Sequence, residues 1–291
     1  MSTSFDNDTA VSPCATGEGD FTAEVSELWR AGRGPHGGYL AAILLRALTL
    51  ALADPSRQPR SLTIHYASAP KPGPVAIHTK IERHGRSLST LSARMEQEGK
   101  LMALALAAFS VPWKAEEISE LPMPQVEAPA AERQSSRLIS EFGPPFTRKL
   151  VMQPRVGAVP FTEAQAPMEI GGWTGFAEPR PIDPLALALF CDAWIPPAFI
   201  ALKEPAFAPT VDLTVHFHAP TRPVEDPEEL CLAVFRARLV HDGFFVEDGV
   251  IWAPDGSVLA QSRQLGIIMP TDKPVLQPSG ASAPAVADGN E

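Results

Sequence analysis

One stretch of this chain occurs twice, and that constrains the fold more than any bulk property. Residues 62–70, Leu62-Thr63-Ile64-His65-Tyr66-Ala67-Ser68-Ala69-Pro70, return slightly shortened as Leu213-Thr214-Val215-His216-Phe217-His218-Ala219-Pro220. Both copies alternate apolar and polar residues, the pattern of a strand with one buried face. One apolar helix precedes each copy and three strand-like stretches follow it. A spacing of about 150 residues is too long for a solenoid unit. It implies a duplicated and fused domain, so differences between the halves carry information about function.

The first half predicts a strand over 21–30, a glycine-rich turn over 32–38 and a helix over 38–54 that ends before Pro55. Strands follow at 60–68, 75–83, 87–97 and 101–111, with turns at Gly85-Arg86 and Gly99-Lys100. Strands joined by such short turns run antiparallel, because parallel pairs need long crossovers. The second half repeats the plan. Strands are expected at 148–155 and 168–177. Asp183-Pro184 opens a helix that runs 185–195 and meets Pro196-Pro197. Strands at 210–218, 230–241, 244–253 and 257–268 complete it. A Pro-, Glu-, Ala- and Ser-rich linker over 113–146 separates unit 1 (21–112) from unit 2 (147–270). Residues 1–20 and 271–291 are expected to be disordered.

The apolar stretch 37–53 contains Arg46 and is too short for a membrane span. It reads as a helix buried nearly all round. Such a helix followed by a four-strand meander is best buried inside a long curved antiparallel sheet. The expected fold is α+β, a double hot-dog: two tandem units, each with a sheet wrapped around a central helix.

The hydrophobic content of 45% fits a real core. A formal charge of −10 argues against a nucleic-acid or anionic-membrane binder. Cys14, Cys191 and Cys231 are odd in number and far apart, so neither zinc spacing nor a disulfide framework is present, and a reducing cytoplasm is the simplest compartment. The acidic N-terminal stretch has no apolar core of the secretory kind.

Asp192 stands out because it interrupts the apolar run from Leu185 to Cys191. An ionised acid in a core is costly unless paired, so Asp192 either faces solvent, is held by an arginine, or has a chemical role. Gly32-Arg33-Gly34-Pro35-His36-Gly37 matches the dinucleotide fingerprint, but that motif needs a crossover into a parallel sheet. His65, His216 and His218 lack a placed third ligand, which disfavours a metal. No nucleophile elbow is present. Cys191 has no neighbouring histidine and reads as a buried structural thiol.

Four motifs carry a resemblance. They are Gly37-Gly38-Tyr39-Leu40-Ala41-Ala42, Leu189-Phe190-Cys191-Asp192-Ala193, Pro209-Thr210-Val211-Asp212-Leu213-Thr214-Val215-His216-Phe217, and Leu259-Ala260-Gln261-Ser262-Arg263-Gln264-Leu265. In this order, over residues 30–270, the chain resembles the double hot-dog acyl-CoA thioesterases, the thioesterase II family. The resemblance implies that a fatty or related acyl-CoA is hydrolysed to free acid and CoA with no cofactor and no metal. It also implies a homodimer or larger homo-oligomer. Asp192 would be the base, with Thr210 and Gln264 holding the attacking water. The amides of Gly37 and Gly38 would form an oxyanion site beside His36. Taken singly, Thr210 reads as an ordinary strand residue, Gln264 as an exposed polar residue on a half-wet sheet, the glycines as a helix turn, and His36 as a surface-loop residue. Between the halves Thr210 faces Pro59, Gln264 faces Ala107 and Asp192 faces Arg46, so one site per chain is expected. Arg30, Arg33, Arg236, Arg238 and Arg263 are candidates for the CoA phosphates. Two other readings stand: an acyl-CoA or fatty-acid binding protein without catalysis, and an enoyl-CoA hydratase. The latter needs an Asp/His pair near the active-site helix, and the second helix contains no histidine.

Overall fold

The computed structural model describes residues 2–14, 17, 19–162, 166–218 and 226–271. The expected tail beyond Thr271 lies outside them. The first half contains α1 (Ser4–Asp8), β1 (Val11–Pro13), β2 (Asp20–Val25), α2 (Gly37–Leu52), β3 (Gln58–Tyr66), β4 (Gly73–His84), β5 (Leu88–Gln97) and β6 (Lys100–Ser110). The second contains α3 (Arg137–Phe142), β7 (Leu150–Val156), β8 (Glu169–Phe176), α4 (Pro184–Phe190), β9 (Thr210–Phe217), β10 (Cys231–His241), β11 (Phe244–Trp252) and β12 (Val258–Ile267). These strands form one antiparallel 12-stranded sheet in the order β1-β2-β4-β5-β6-β3-β9-β12-β11-β10-β8-β7. This is the double hot-dog expected from the sequence.

The two copies of the repeat pair with each other at the sheet's centre. Leu62 lies opposite Val215, Thr63 opposite Thr214 and Ile64 opposite Leu213. The Thr63 and Thr214 hydroxyls meet at 3.1 Å. Because Leu62 matches Leu213 and Ile64 matches Val215 in the repeat, this antiparallel register places an approximate two-fold axis at the threonine pair. One alternating pattern thus serves both strands, with Leu62, Ile64, Leu213 and Val215 turned into the core.

Helices α2 and α4 fill the inside of the sheet. From Gly38 to Leu45 every residue of α2 is buried, which explains the absence of a polar stripe. His36 caps its start and Ala53, left-handed at φ 51°, ends it. The Asp183 side chain caps α4 by accepting the Ala186 N–H, with Pro184 at the first position as the sequence predicts.

Helix α4 is shorter than expected. It ends at Phe190, and the chain tightens into Asp192 N–H to Leu189 O and Ala193 N–H to Phe190 O bonds. Asp192 therefore lies on the turn after the helix. Counted from the caps His36 and Asp183, it matches Leu45 rather than Arg46.

The N-terminal segment also departs from expectation. Residues 2–14 are folded: Thr3 and Asp6 form a reciprocal cap on α1, and β1 pairs with β2. Phe5 is 2% exposed and packs on Trp29 and Phe176. Arg46, the cation in the apolar helix, donates to Asp6 and Thr9 of this segment.

Residues 113–136 form no regular element, yet part of this linker lies across the outer face of the second unit. Trp173 and Trp252 donate their indole N–H groups to the carbonyls of Glu127 and Leu121. Met123 and Val126 cover the cluster that includes Val151, Leu232 and Trp252. No helix among the described residues is long and apolar enough to cross a membrane.

Candidate active site

The end of α4 meets the start of α2. The Asp192 side chain is only 12% exposed, and its Oδ2 accepts the Gly38 N–H at 2.8 Å. A carboxylate at a helix N-terminus gains from the free amides and the positive end of the helix dipole. Burial here is thus offset by a backbone donor rather than by an arginine. Among the described residues Oδ1 accepts no hydrogen bond.

His36 is buried, contrary to the surface-loop reading, because the turn after α4 folds over it. Its Nδ1 accepts the Tyr39 N–H at 3.2 Å as the helix cap, so the ring proton belongs on Nε2. Nε2 donates to the Asp192 carbonyl oxygen at 2.7 Å and lies 3.5 Å from Oδ2. Burial lowers the His36 pKa, and the Asp192 charge only partly opposes this, so the ring is neutral. His36 holds Asp192 in place.

The first unit contributes a second wall. Tyr66, at the end of β3, donates its hydroxyl to Gly37 O at 2.9 Å. Burial, with the Asp192 charge, pushes its pKa well up. A methyl group at Gly37 would lie 2.8 Å from Asp192 Oδ2 and 3.3 Å from the Tyr66 oxygen, so glycine is what lets the carboxylate come this close. The expected oxyanion pair is altered: the Gly38 N–H is taken by Asp192, and only the Gly37 N–H lacks an acceptor among the described residues.

Thr210 and Gln264 do meet. Simple alternation along β9 would turn Thr210 outward with Thr214 and His216. The register instead shifts between Thr210, opposite Gly266, and Asp212, opposite Leu265. This bulge turns Thr210 inward, where its hydroxyl donates to Gln264 Oε1 at 3.1 Å. Gln264 is buried, not exposed. Asp192 makes no direct hydrogen bond to either residue among those described. It approaches them through its neighbour, since the Cys191 thiol lies beside Ser262, two residues before Gln264 on the same face. Burial pushes the Cys191 thiol up to about 12, which leaves it unreactive.

The sequence reading missed Glu247. It faces inward from β11, is 3% exposed, and its Oε1 accepts the Gln264 Nε2–H at 2.8 Å. Burial first, then the charges of Asp192 and Asp248, push its carboxyl pKa well up. Comparison of the halves contained the signal. Glu247 lies opposite Gln264 as Leu91 lies opposite Ala107 in the first unit. Of the candidate arginines, Arg30, Arg236 and Arg263 pair with Glu27, Glu169 and Asp248. Arg33, in the turn before α2, stacks over Phe207 at 4.7 Å.

A profile of the acyl-CoA thioesterase N-terminal domain matches residues 25–110, and one of the C-terminal domain matches residues 121–268. An uncharacterized protein of Mycobacterium tuberculosis is 26% identical over 282 residues, spanning 85% of this chain and 90% of that protein. A conserved protein of unknown function with a hot dog fold, from Alicyclobacillus acidocaldarius, superposes with a TM-score of 0.80 at 30% identity, over 93% of this chain and 100% of that one. An acyl-CoA thioesterase II of Mycobacterium marinum shares the fold, with a TM-score of 0.69 at 19% identity over 92% of this chain and 99% of that one.

Proposed function

We propose, for a chain that belongs to the acyl-CoA thioesterase family, that it hydrolyses a fatty or related acyl-CoA through a water molecule activated by Asp192. The observation that carries this reading is the clamped carboxylate. One Asp192 oxygen is fixed by the Gly38 amide, and His36 fixes the main chain behind it, so the other oxygen is held ready to take a proton. Thr210, tied to Gln264, supplies a second point of attachment for the water.

The water oxygen bonds to the thioester carbon as its proton passes to Asp192 Oδ1. The carbonyl oxygen, now negative, accepts the Gly37 N–H. Collapse restores the carbonyl and breaks the C–S bond. The CoA thiolate leaves with its electron pair and takes the proton from Asp192, which returns the site to its starting state. Fixing the water's position and direction contributes several kcal/mol to lowering such a barrier.

The Asp192–His36 contact revives one point of the hydratase reading, because the histidine missing from α4 arrives from the first unit. Both His36 nitrogens are nevertheless engaged within the protein, one as helix cap and one on the Asp192 carbonyl, so the ring has no free site for proton transfer to a substrate. Hydrolysis fits the arrangement better. We place the protein in the cytoplasm, where the free thiols of Cys14, Cys191 and Cys231 stay reduced.

Free-thiol release from acyl-CoAs of graded chain length tests the reading. Asp192→Asn is expected to lower kcat by about 100- to 10,000-fold while acyl-CoA still binds. Binding without thiol release by the native chain, at every chain length, would instead identify a non-catalytic acyl-CoA binder.

A further inference from the structure

Glu247 is the only carboxylic acid among the described residues that is buried. It lies on the inward face of β11 with Phe245 and Ile251, where a leucine occupies the matching position of the first unit. Its Oε2 is inaccessible and has no hydrogen-bond partner among the described residues. An unpartnered oxygen of this kind costs stability, and a buried acid costs more if ionised. The two halves differ here as a unit: the first has Leu91 opposite Ala107, the second Glu247 opposite Gln264. The acid therefore comes with the glutamine and not with the fold.

The contacts have a direction. Glu247 Oε1 accepts from Gln264 Nε2, so the glutamine's carbonyl end must face Thr210. Gln264 Oε1 then accepts the Thr210 hydroxyl proton, which leaves only lone pairs on Thr210 for a water. A water held between Thr210 and Asp192 must donate one hydrogen to each. Both of its lone pairs are then unengaged, and one attacks. With the amide reversed, Thr210 would accept from Gln264 and turn its proton towards the water, engaging one of the two lone pairs, lowering the oxygen's nucleophilicity and turning it from its second acceptor.

We propose that Glu247 is a positioning residue, a hydrogen-bond acceptor that fixes the orientation of the Gln264 amide and so makes the attacking water a double hydrogen-bond donor. This rests on the thioesterase reading given above. It goes further by assigning a role to an acid outside the expected set of site residues.

The test compares the full-length native chain with Glu247→Gln and Glu247→Leu, using the acyl-CoA that the chain-length panel shows to be hydrolysed fastest. Glu247→Gln keeps an acceptor at the same place, and its kcat is expected to stay within about fivefold of native. Glu247→Leu removes the acceptor at similar volume. Its kcat is expected to fall about 100-fold with KM little changed, since the residue acts on the water and not on acyl-CoA binding. Glu247→Met, unbranched and close to glutamate in length, removes the acceptor in a second way and is used if Glu247→Leu fails to fold, with the same loss of about 100-fold expected.

Native kcat in the folded apolar variant, a loss in Glu247→Gln equal to that in the apolar variant, or a rise in KM alone would each overturn the assignment. A native chain that releases no thiol from any acyl-CoA removes the thioesterase reading, and this role with it. An active native chain indifferent to Glu247→Leu removes this role alone.

Discussion

At the scale of single residues, the site depends on how closely two backbones approach. Gly37 and Gly38 are neighbours, but substitutions at them should fail differently. A Cβ on Gly38 would lie 2.6 Å from Leu189 O and 3.0 Å from Leu189 Cα, so the backbone of α4 would have to move. Gly38→Ala is expected to cost about 1–3 kcal/mol by overpacking and to lower the melting temperature. A Cβ on Gly37 would meet only side-chain ends, Asp192 Oδ2 and the Tyr66 ring. Gly37→Ala should therefore keep a near-native melting temperature while displacing the carboxylate, with thiol release down about 100-fold. Melting curves and rates on the same samples check both, and full activity in Gly37→Ala would show that the tight placement of Asp192 is not needed. Asp192 itself was legible in the sequence because an acid ending an apolar run demands an explanation. Thr210 and Gln264 became legible through the family resemblance, and comparison of the halves then set them apart. Glu247 was passed over, because Val246-Glu247-Asp248 reads as ordinary surface chemistry on a strand, although the same comparison matches it to Leu91. His36 was misread because a glycine-rich loop suggests solvent, and the element that covers it lies far along the chain.

At the scale of elements, alternation and turn residues defined the strands well, since burial of one face and short antiparallel connections are local properties. Where elements end was less legible. The closing of α4 at Phe190 depends on tertiary packing against α2, which no propensity encodes. Composition misjudged the N-terminal segment, because a polar, acidic average hid one aromatic anchor. Phe5 reaches Trp29 of the first half and Phe176 of the second, and Arg180 joins Asp6 of α1 to Asp183, the cap of α4. That network makes an acid-sensitive tie. Burial alone would raise the Asp6 pKa, but hydrogen bonds from Arg180 and Thr3 and the Arg180 charge outweigh it and bring the value from 3.8 down to about 2. A carboxylate with a lowered folded-state pKa stabilises the fold above its unfolded value, and that contribution disappears as the pH falls through its folded value. The melting temperatures of native protein and Asp6→Asn should therefore differ at neutral pH and converge as the pH drops from about 4 to about 2. A gap that stays constant across that window would mean that the Asp6 charge contributes nothing to the fold.

At the scale of the molecule, the duplication has become a single continuous sheet, and the chain's two halves are no longer separable parts. The central β3–β9 pairing, the packing of α2 on α4 and the reach of α1 into the second half all cross between the units. The site crosses with them, since His36, Gly37, Gly38 and Tyr66 belong to one unit and Asp192, Thr210, Gln264 and Glu247 to the other. The covalent link, by contrast, contributes little contact at its start: Trp113 is 69% exposed and Ile118 80%, in a stretch with no regular structure. If the halves are held by the sheet and core, cutting the chain there should leave the folded particle intact. A protease site inserted after Ile118 of the full-length protein and cleaved under native conditions should give two fragments on a denaturing gel. The cleaved protein should still sediment as the uncut one does and keep its thiol-releasing activity. Refolding from denaturant should then become concentration-dependent, because the cut turns an intramolecular association, with its high effective concentration, into a bimolecular one. Fragments that separate without denaturant would show that the linker, and not the paired repeat, holds the two units together.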